Sequence, residues 1–206
     1  GKAPEIYLME GFMDVIAAYR AGIENAVASM GTALTSEHVE HLKRFTKKVI
    51  VTYDGDKAGQ AATAKALDEL KDIPVQVVQI PDAMDPDEYL QKNSPQDLAY
   101  LLTNTRISPV EFYIHHFRPE NSENLQAQIE FIEKIAPLIA KEPSITAQNS
   151  YIHILTDHLP SFDYQQVEHI VNESRVRQRK EKVKETYSPS PVTISVTKQL
   201  TAVMRA

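Results

Sequence analysis

Six acidic side chains stand directly behind apolar runs: Glu10 and Asp14 in Leu8-Met9-Glu10-Gly11-Phe12-Met13-Asp14, Asp54 and Asp56 in Val51-Thr52-Tyr53-Asp54-Gly55-Asp56-Lys57-Ala58-Gly59, and Asp85 and Asp87 around Pro86. Carboxylates brought together repel one another unless a positive charge lies between them. A divalent cation such as Mg²⁺ or Mn²⁺ prefers hard oxygen ligands and usually carries phosphate with it. The pattern therefore implies metal-dependent phosphoryl transfer. Simpler readings stand beside it. Asp14 could be a solvated first-turn acid favoured by the helix dipole, and Asp85 could merely cap a helix that has Pro86 at its first position. Lys57, next to Asp56, could touch phosphate or serve as a local counter-charge.

Such acids need rigid supports, and the pattern provides them. Ile6–Met9, Ala26–Met30, Val49–Tyr53 and Val75–Pro81 read as strands. Between them, Met13–Ala21, a segment capped by Ser36 with Val39, Leu42 and Phe45 on one face, and alanine-rich Gly59–Leu70 have helical spacing. Short apolar strands alternating with helices predict a parallel sheet with right-handed crossovers. Open sheets of this kind bind ligands at the carboxyl ends of their strands, where all three acidic clusters fall. Beyond Thr105 the texture changes to helices over Pro109–Phe117, Leu125–Ala140, Ile145–Leu159 and Tyr164 to about Lys184. Leu125, Ile129, Ile132, Ile135, Ala136 and Ile139 form one apolar stripe, and Pro137 within it predicts a kink or boundary. Ser188-Pro189-Ser190-Pro191 has linker composition, and Val192–Val196 is the only strand-like run of this half.

The fold class expected is α/β with a mostly parallel sheet, followed by an all-α helical bundle. The divisions are 1–104, 105–187 and 188–206. The 206 residues suffice for one large or two small cores. No apolar run approaches the roughly 20 residues of a membrane span, so no membrane partner is expected. Cysteine is absent, which excludes disulfides and cysteine-ligated zinc and fits an intracellular setting. A strand beginning so close to residue 1 suggests a piece of a longer protein. The net charge of −6 argues against a self-sufficient nucleic-acid binder with a basic surface. The dense basic run Arg175, Arg177, Arg179, Lys180, Lys182 and Lys184 lies far along the chain from the acids.

Taken together, Glu10-Gly11-Phe12-Met13-Asp14, Ser29-Met30-Gly31-Thr32, Asp54-Gly55-Asp56-Lys57-Ala58-Gly59 and Asp85-Pro86-Asp87 resemble the TOPRIM domain of bacterial DnaG-type primases. The glutamate and D-x-D alone would fit any TOPRIM protein; the E-G-F-M-D, D-G-D-x-A-G and D-P-D forms are the primase style. The resemblance is strong over residues 5 to about 105, weaker over the helices, and the tail from Thr197 resembles the entry to a helicase-binding domain. It implies that Glu10, Asp54 and Asp56 are the catalytic metal-binding triad and that Asp14, Asp85 and Asp87 are flanking acids of the same metal site. Glu10 has the alternative role of general base. The implied reaction is synthesis of short RNA primers from ribonucleoside triphosphates on single-stranded DNA, assisted by Mg²⁺ or Mn²⁺, in the bacterial cytoplasm. Zinc would belong to an N-terminal domain, and the replicative helicase to a C-terminal one, neither contained in this sequence. Without the upstream basic region the chain should hold only the metal-binding half of an active site.

Rival readings remain. A TOPRIM nuclease or topoisomerase shares Glu10, Asp54 and Asp56, but a topoisomerase also needs a catalytic tyrosine, and Tyr53 within a strand reads as packing. A haloacid-dehalogenase-like phosphatase places Thr or Val where Ala58 stands and leaves Glu10 without a role. A non-catalytic metal-binding or scaffold module is a further alternative. His38 and His41 share a helix without other ligands nearby, which reads as an exposed face. His115, His116, His153, His158 and His169 read as structural or solvated.

Overall fold

The computed structural model describes residues 2–186. The linker at 188–191, the strand at 192–196 and the tail from 197 lie outside the described residues. Four strands, β1 (Ile6–Met9), β2 (Ala26–Ala28), β3 (Val49–Val51) and β4 (Val75–Val77), pair in parallel in the order β2-β1-β3-β4. The central β3 is Val-Ile-Val and wholly buried, as a strand covered on both faces must be. Side chains alternate between the faces. Tyr7, Met9 and Ile50 pack with α1 (Phe12–Arg20), α4 (Pro86–Lys92) and α5 (Pro95–Asn104). Leu8, Val49 and Val51 pack with α2 (Ser36–Phe45), α3 (Lys57–Glu69) and α6 (Pro109–Phe117).

A separate apolar core joins α6 to α7 (Leu125–Lys141), α8 (Ile145–Thr156) and α9 (Tyr164–Thr186) through Ile114, Ile132, Ile135, Ile139, Leu155 and Val171. Helix α6 is the hinge pin: Phe112 enters the sheet-side core while Ile114 enters the helical one. Ile107 fastens the junction by exchanging two 2.9 Å backbone hydrogen bonds with Val77. Beside it the Arg106 guanidinium forks onto Glu5 at 2.8 and 3.0 Å and also reaches the Tyr7 hydroxyl. Lys48 adds a second cation to Glu5 at 2.9 Å. These charge-assisted bonds hold the Glu5 carboxyl below its usual range, Arg106 contributing most.

The elements differ from the sequence expectation mainly at their ends. The second strand stops at Ala28 because Met30 and Gly31 turn with left-handed φ of 57° and 70°. The fourth stops at Val77, before a single 3₁₀ turn at Pro81–Ala83. Thr35, not Ser36, caps α2 by accepting the His38 N–H at 3.3 Å, and Phe45 lies 63% exposed instead of joining Val39. Pro137 neither ends nor divides α7; its carbonyl accepts the Gln178 amide at 3.0 Å. Leu125 is exposed, while Gln128 is fully buried on the interior side of α7. Its amide is paired with the Ser122 carbonyl, Ser161 Oγ and the Ser161 N–H. A polar residue was invisible to a search for apolar period, yet full pairing makes its burial tolerable.

Candidate metal centre at the strand ends

The chain leaves β1 toward β2 on one side and leaves β3 toward β4 on the other, so the gap between β1 and β3 is the switch point of the sheet. Loops diverge there and leave a crevice. Glu10 follows β1 and Asp54 follows β3. The two are joined: the Asp54 backbone N–H donates to Glu10 Oε1 at 3.3 Å. The Glu10 carbonyl accepts the N–H of Met30 at 3.0 Å, drawing the turn after β2 to the same edge.

Two glycines set the Asp54 turn. A Cβ on Gly59 would stand 2.2 Å from the Asp54 carbonyl oxygen, and one on Gly55 would stand 2.2 Å from the Ile80 carbonyl oxygen. Gly55 N–H donates to the Met84 carbonyl at 2.9 Å, so the turn lies flat against the segment that leads to Asp85. Gly11 has a different reason: its N–H is given to Asp14 Oδ2 at 2.9 Å, and an added Cβ would meet that oxygen at 3.0 Å.

Asp54 is the electrostatic centre. Its Oδ1 is buried without a hydrogen-bond partner. Burial, followed by the charges of Glu10, Asp14, Asp85 and Asp56, pushes its pKa up to about 7. Asp14 is only 5% exposed, which overturns its reading as a solvated acid. Burial raises its pKa against the opposing backbone hydrogen bonds from Gly11 and Asp87. Asp85 caps α4, accepting the Glu88 N–H at 2.6 Å, and its charge still reaches Asp14 and Asp54. Asp87 Oδ2 accepts the Gln91 amide at 2.8 Å.

The remaining acid is engaged elsewhere. Asp56 is exposed and its Oδ1 accepts the Gly59 N–H at 2.7 Å, capping α3. Lys57 turns to solvent and stands 3.5 Å from Glu120, so it is not the counter-charge of Asp56. Among the described residues no three His, Asp or Glu side chains are gathered closely enough to cage a cation as they stand. The donor set nonetheless suits a hard divalent ion: every member is a carboxylate, and one buried oxygen lacks a partner.

Spacing gave no sign of one further residue. Thr52 Oγ1 is a second buried oxygen without a partner, two positions before Asp54 on β3's extension. Tyr53 is 5% exposed, which agrees with packing. It lines a cleft of about 620 Å³ with Glu10, Thr32, Ala58, Ala61 and Lys65. His38 completes the α2 cap and His41 is exposed; His115 and His158 face each other at 5.8 Å.

Comparison with known proteins gives a consistent answer. The family pattern described as Toprim-like matches residues 7–90. The DNA primase of Lactococcus lactis is 56% identical over 171 residues, covering 83% of this chain and 27% of that protein. The DNA primase of Listeria monocytogenes is 42% identical over 160 residues, covering 76% and 26%. The chain thus spans about a quarter of the length of these relatives. Among solved structures, a DNA primase domain from Pseudomonas aeruginosa superposes with a TM-score of 0.58 at 26% identity, covering 83% of this chain and 55% of that one. A DnaG primase catalytic domain bound to ssDNA matches with TM-score 0.58 at 28% identity, covering 80% and 54%. The RNA polymerase domain of Mycobacterium tuberculosis primase DnaG gives 0.59 at 30% identity, covering 74% and 50%.

Proposed function

Since this chain belongs to the bacterial DnaG-type primases as a segment of one, we propose that it carries the acidic half of a site that joins ribonucleotides on a single-stranded DNA template. The observation that carries the reading is Asp54, a buried carboxylate with an orphaned oxygen and a pKa near 7, fastened to Glu10 at the switch point. A carboxyl whose proton is retained up to about pH 7 by burial and then by like charges is poised to release that proton to a cation.

Asp54, Glu10 and Asp56 are the proposed ligands of Mg²⁺ or Mn²⁺, with Asp14, Asp85 and Asp87 setting the field around them. When bound, the metal supplies acidification of the attacking 3′-hydroxyl and neutralisation of the leaving pyrophosphate. The chain's own residues do the positioning. Glu10 fixes the Asp54 backbone, Gly59 lets that backbone lie against α3, and Asp14 holds the first turn of α1 through Gly11. Asp56 has one oxygen committed to its cap, leaving the other for a ligand. Glu10 either ligates metal or accepts the hydroxyl proton; both roles need it where it stands. The triphosphate and template require more cations than Lys57 and Lys65 offer beside the acidic edge, and the remaining three-quarters of the relatives' length is where they are proposed to lie.

Isothermal titration with Mn²⁺ tests the site directly. The parent chain should bind, and the Asp54→Asn/Asp56→Asn double variant should lose at least tenfold in affinity. Equal binding by both would remove the acidic edge as the metal centre.

A further inference from the structure

The basic run on α9 takes no part in the acidic site. Arg175 and Arg179 open instead onto a cavity of about 600 Å³ at the corner between α7 and α8, lined also by Lys141, Glu142, Ile145 and Gln148. Arg175 is held in place from behind. Its guanidinium donates to the Gln148 side-chain carbonyl, and the Gln148 amide donates to the Glu142 backbone carbonyl. The Arg175 Nε–H is buried and has no partner.

Charge at this corner is unbalanced. Among the described residues no carboxylate lies within ion-pair distance of Arg175, Arg179 or Lys141. The one acid in the lining, Glu142, turns back to accept the Ser144 N–H at 3.3 Å. A partly buried guanidinium without a counter-charge is costly unless an anion meets it. Guanidinium groups favour planar, two-oxygen partners, of which phosphate is one.

Spacing selects among anions. Arg175 and Arg179 are one helical turn apart on the same face, about 6 Å along the axis. Two cations at that interval, Arg175 anchored by Gln148 and Arg179 exposed beside it, with Lys141 across the cavity, suit successive phosphates of an extended strand better than one small ion. We propose that this corner of the helical core is a phosphate seat for single-stranded nucleic acid, separate from the strand-end acids. The inference rests on the primase reading only in choosing a strand as the polyanion.

Fluorescence anisotropy of a labelled oligothymidylate of about 20 nucleotides, titrated with the full chain at about 50 mM KCl, tests it. Lys141→Glu/Arg179→Glu, at exposed positions, should weaken binding at least tenfold. It should also flatten the log–log salt dependence by about 1.4, near 0.7 per lost phosphate contact. Lys71→Glu, an exposed lysine elsewhere, should bind as the parent does. Parent-like binding by the double variant, or an equal loss in Lys71→Glu, would overturn the seat while leaving the acidic site untouched. In a second arm ATP competes with the oligonucleotide. Displacement by micromolar ATP, itself lost in the double variant, would assign the cavity to free triphosphate and overturn the strand.

Discussion

Asp54 gives its backbone N–H to the Glu10 carboxylate across 3.3 Å, fastening two acids 44 positions apart in the chain. The bond fixes the gap between β1 and β3, because each residue is the first acid beyond its strand. It also keeps a negative charge against a buried carboxyl, and that charge is the second cause, after burial, of the raised Asp54 pKa. One contact therefore fixes the geometry of the proposed site and adds to the burial that governs its charge state.

The pH dependence of stability follows from that charge state. Asp54 titrates near 7 in the folded chain, against 3.8 ordinarily. The folded state thus holds this proton where the unfolded state has lost it. The contribution is fully present below about pH 4 and disappears as pH rises through about 7. Partial exposure screens it, leaving roughly 1–2 kcal/mol. Metal-free melting temperatures of the parent should fall relative to Asp54→Asn between pH 4 and 8, and saturating Mn²⁺ should narrow the gap. Parallel curves across that range would show that Asp54 ionises as an ordinary carboxyl.

Asp56 separates a structural role from a chemical one. Its Oδ1 caps α3 through Gly59 N–H at 2.7 Å, and Asn caps about as well as Asp whereas Ala does not. Asp56→Ala should cost about 1 kcal/mol of stability and Asp56→Asn under about 0.5 kcal/mol. Both should weaken Mn²⁺ binding, since both remove the charge. If Asp56→Asn binds Mn²⁺ as the parent does, the residue is a helix cap and nothing more.

Gly59 is the backbone support of the site. A methyl group there would meet the Asp54 carbonyl oxygen at 2.2 Å, so the turn must move. Gly59→Ala should destabilise by about 2–3 kcal/mol and lower Mn²⁺ affinity with it. Gly22→Ala is the control, since its φ of 87° strains the backbone but nothing stands within 4 Å of the added atom. It should cost about 1 kcal/mol and leave Mn²⁺ affinity unchanged. Equal metal affinity in both variants would uncouple the glycine from the site.

Much of this was legible because strand and helix periods differ and because acids after apolar runs stand out against them. Val49–Val51 could hardly be anything but a covered strand, and Asp85-Pro86 announced its cap. Other features turn on tertiary contact, which a linear pattern does not carry. Nothing in the spacing distinguishes Asp14 as a buried acid from Asp14 as a solvated one; packing of α4 against α1 decides it. Nor does it say that Lys57 turns away toward Glu120, that Thr52 leaves a hydroxyl unpartnered, or that Gln128 is an interior residue. Phe45 differs for the opposite reason: its helical register is apolar, yet at the last position of α2 it stands 63% exposed. Ser94-Pro95-Gln96-Asp97 does carry a legible start signal for α5: Ser94 and Asp97 form a reciprocal cap at 3.1 Å in each direction.

The last expectation concerns competence. Primer synthesis requires the acidic centre together with cations that hold template and triphosphate, and affinity for nucleic acid grows with the number of phosphates neutralised. This chain carries a net charge of −6, and its described basic corner lies on the helical core, away from Glu10 and Asp54. Alone, it should hold single-stranded DNA weakly at physiological salt and make little or no RNA. A longer chain that includes the upstream region of a relative should synthesise primers, and Glu10→Gln or Asp54→Asn in that longer chain should abolish synthesis. The measurement is incorporation of labelled ribonucleotide on a single-stranded template with Mg²⁺ or Mn²⁺. Synthesis by the short chain at the rate of the longer one would mean that the nucleotide-holding groups lie within these 206 residues. The exposed cations on α3 and the cleft beside Glu10 would then be the place to find them.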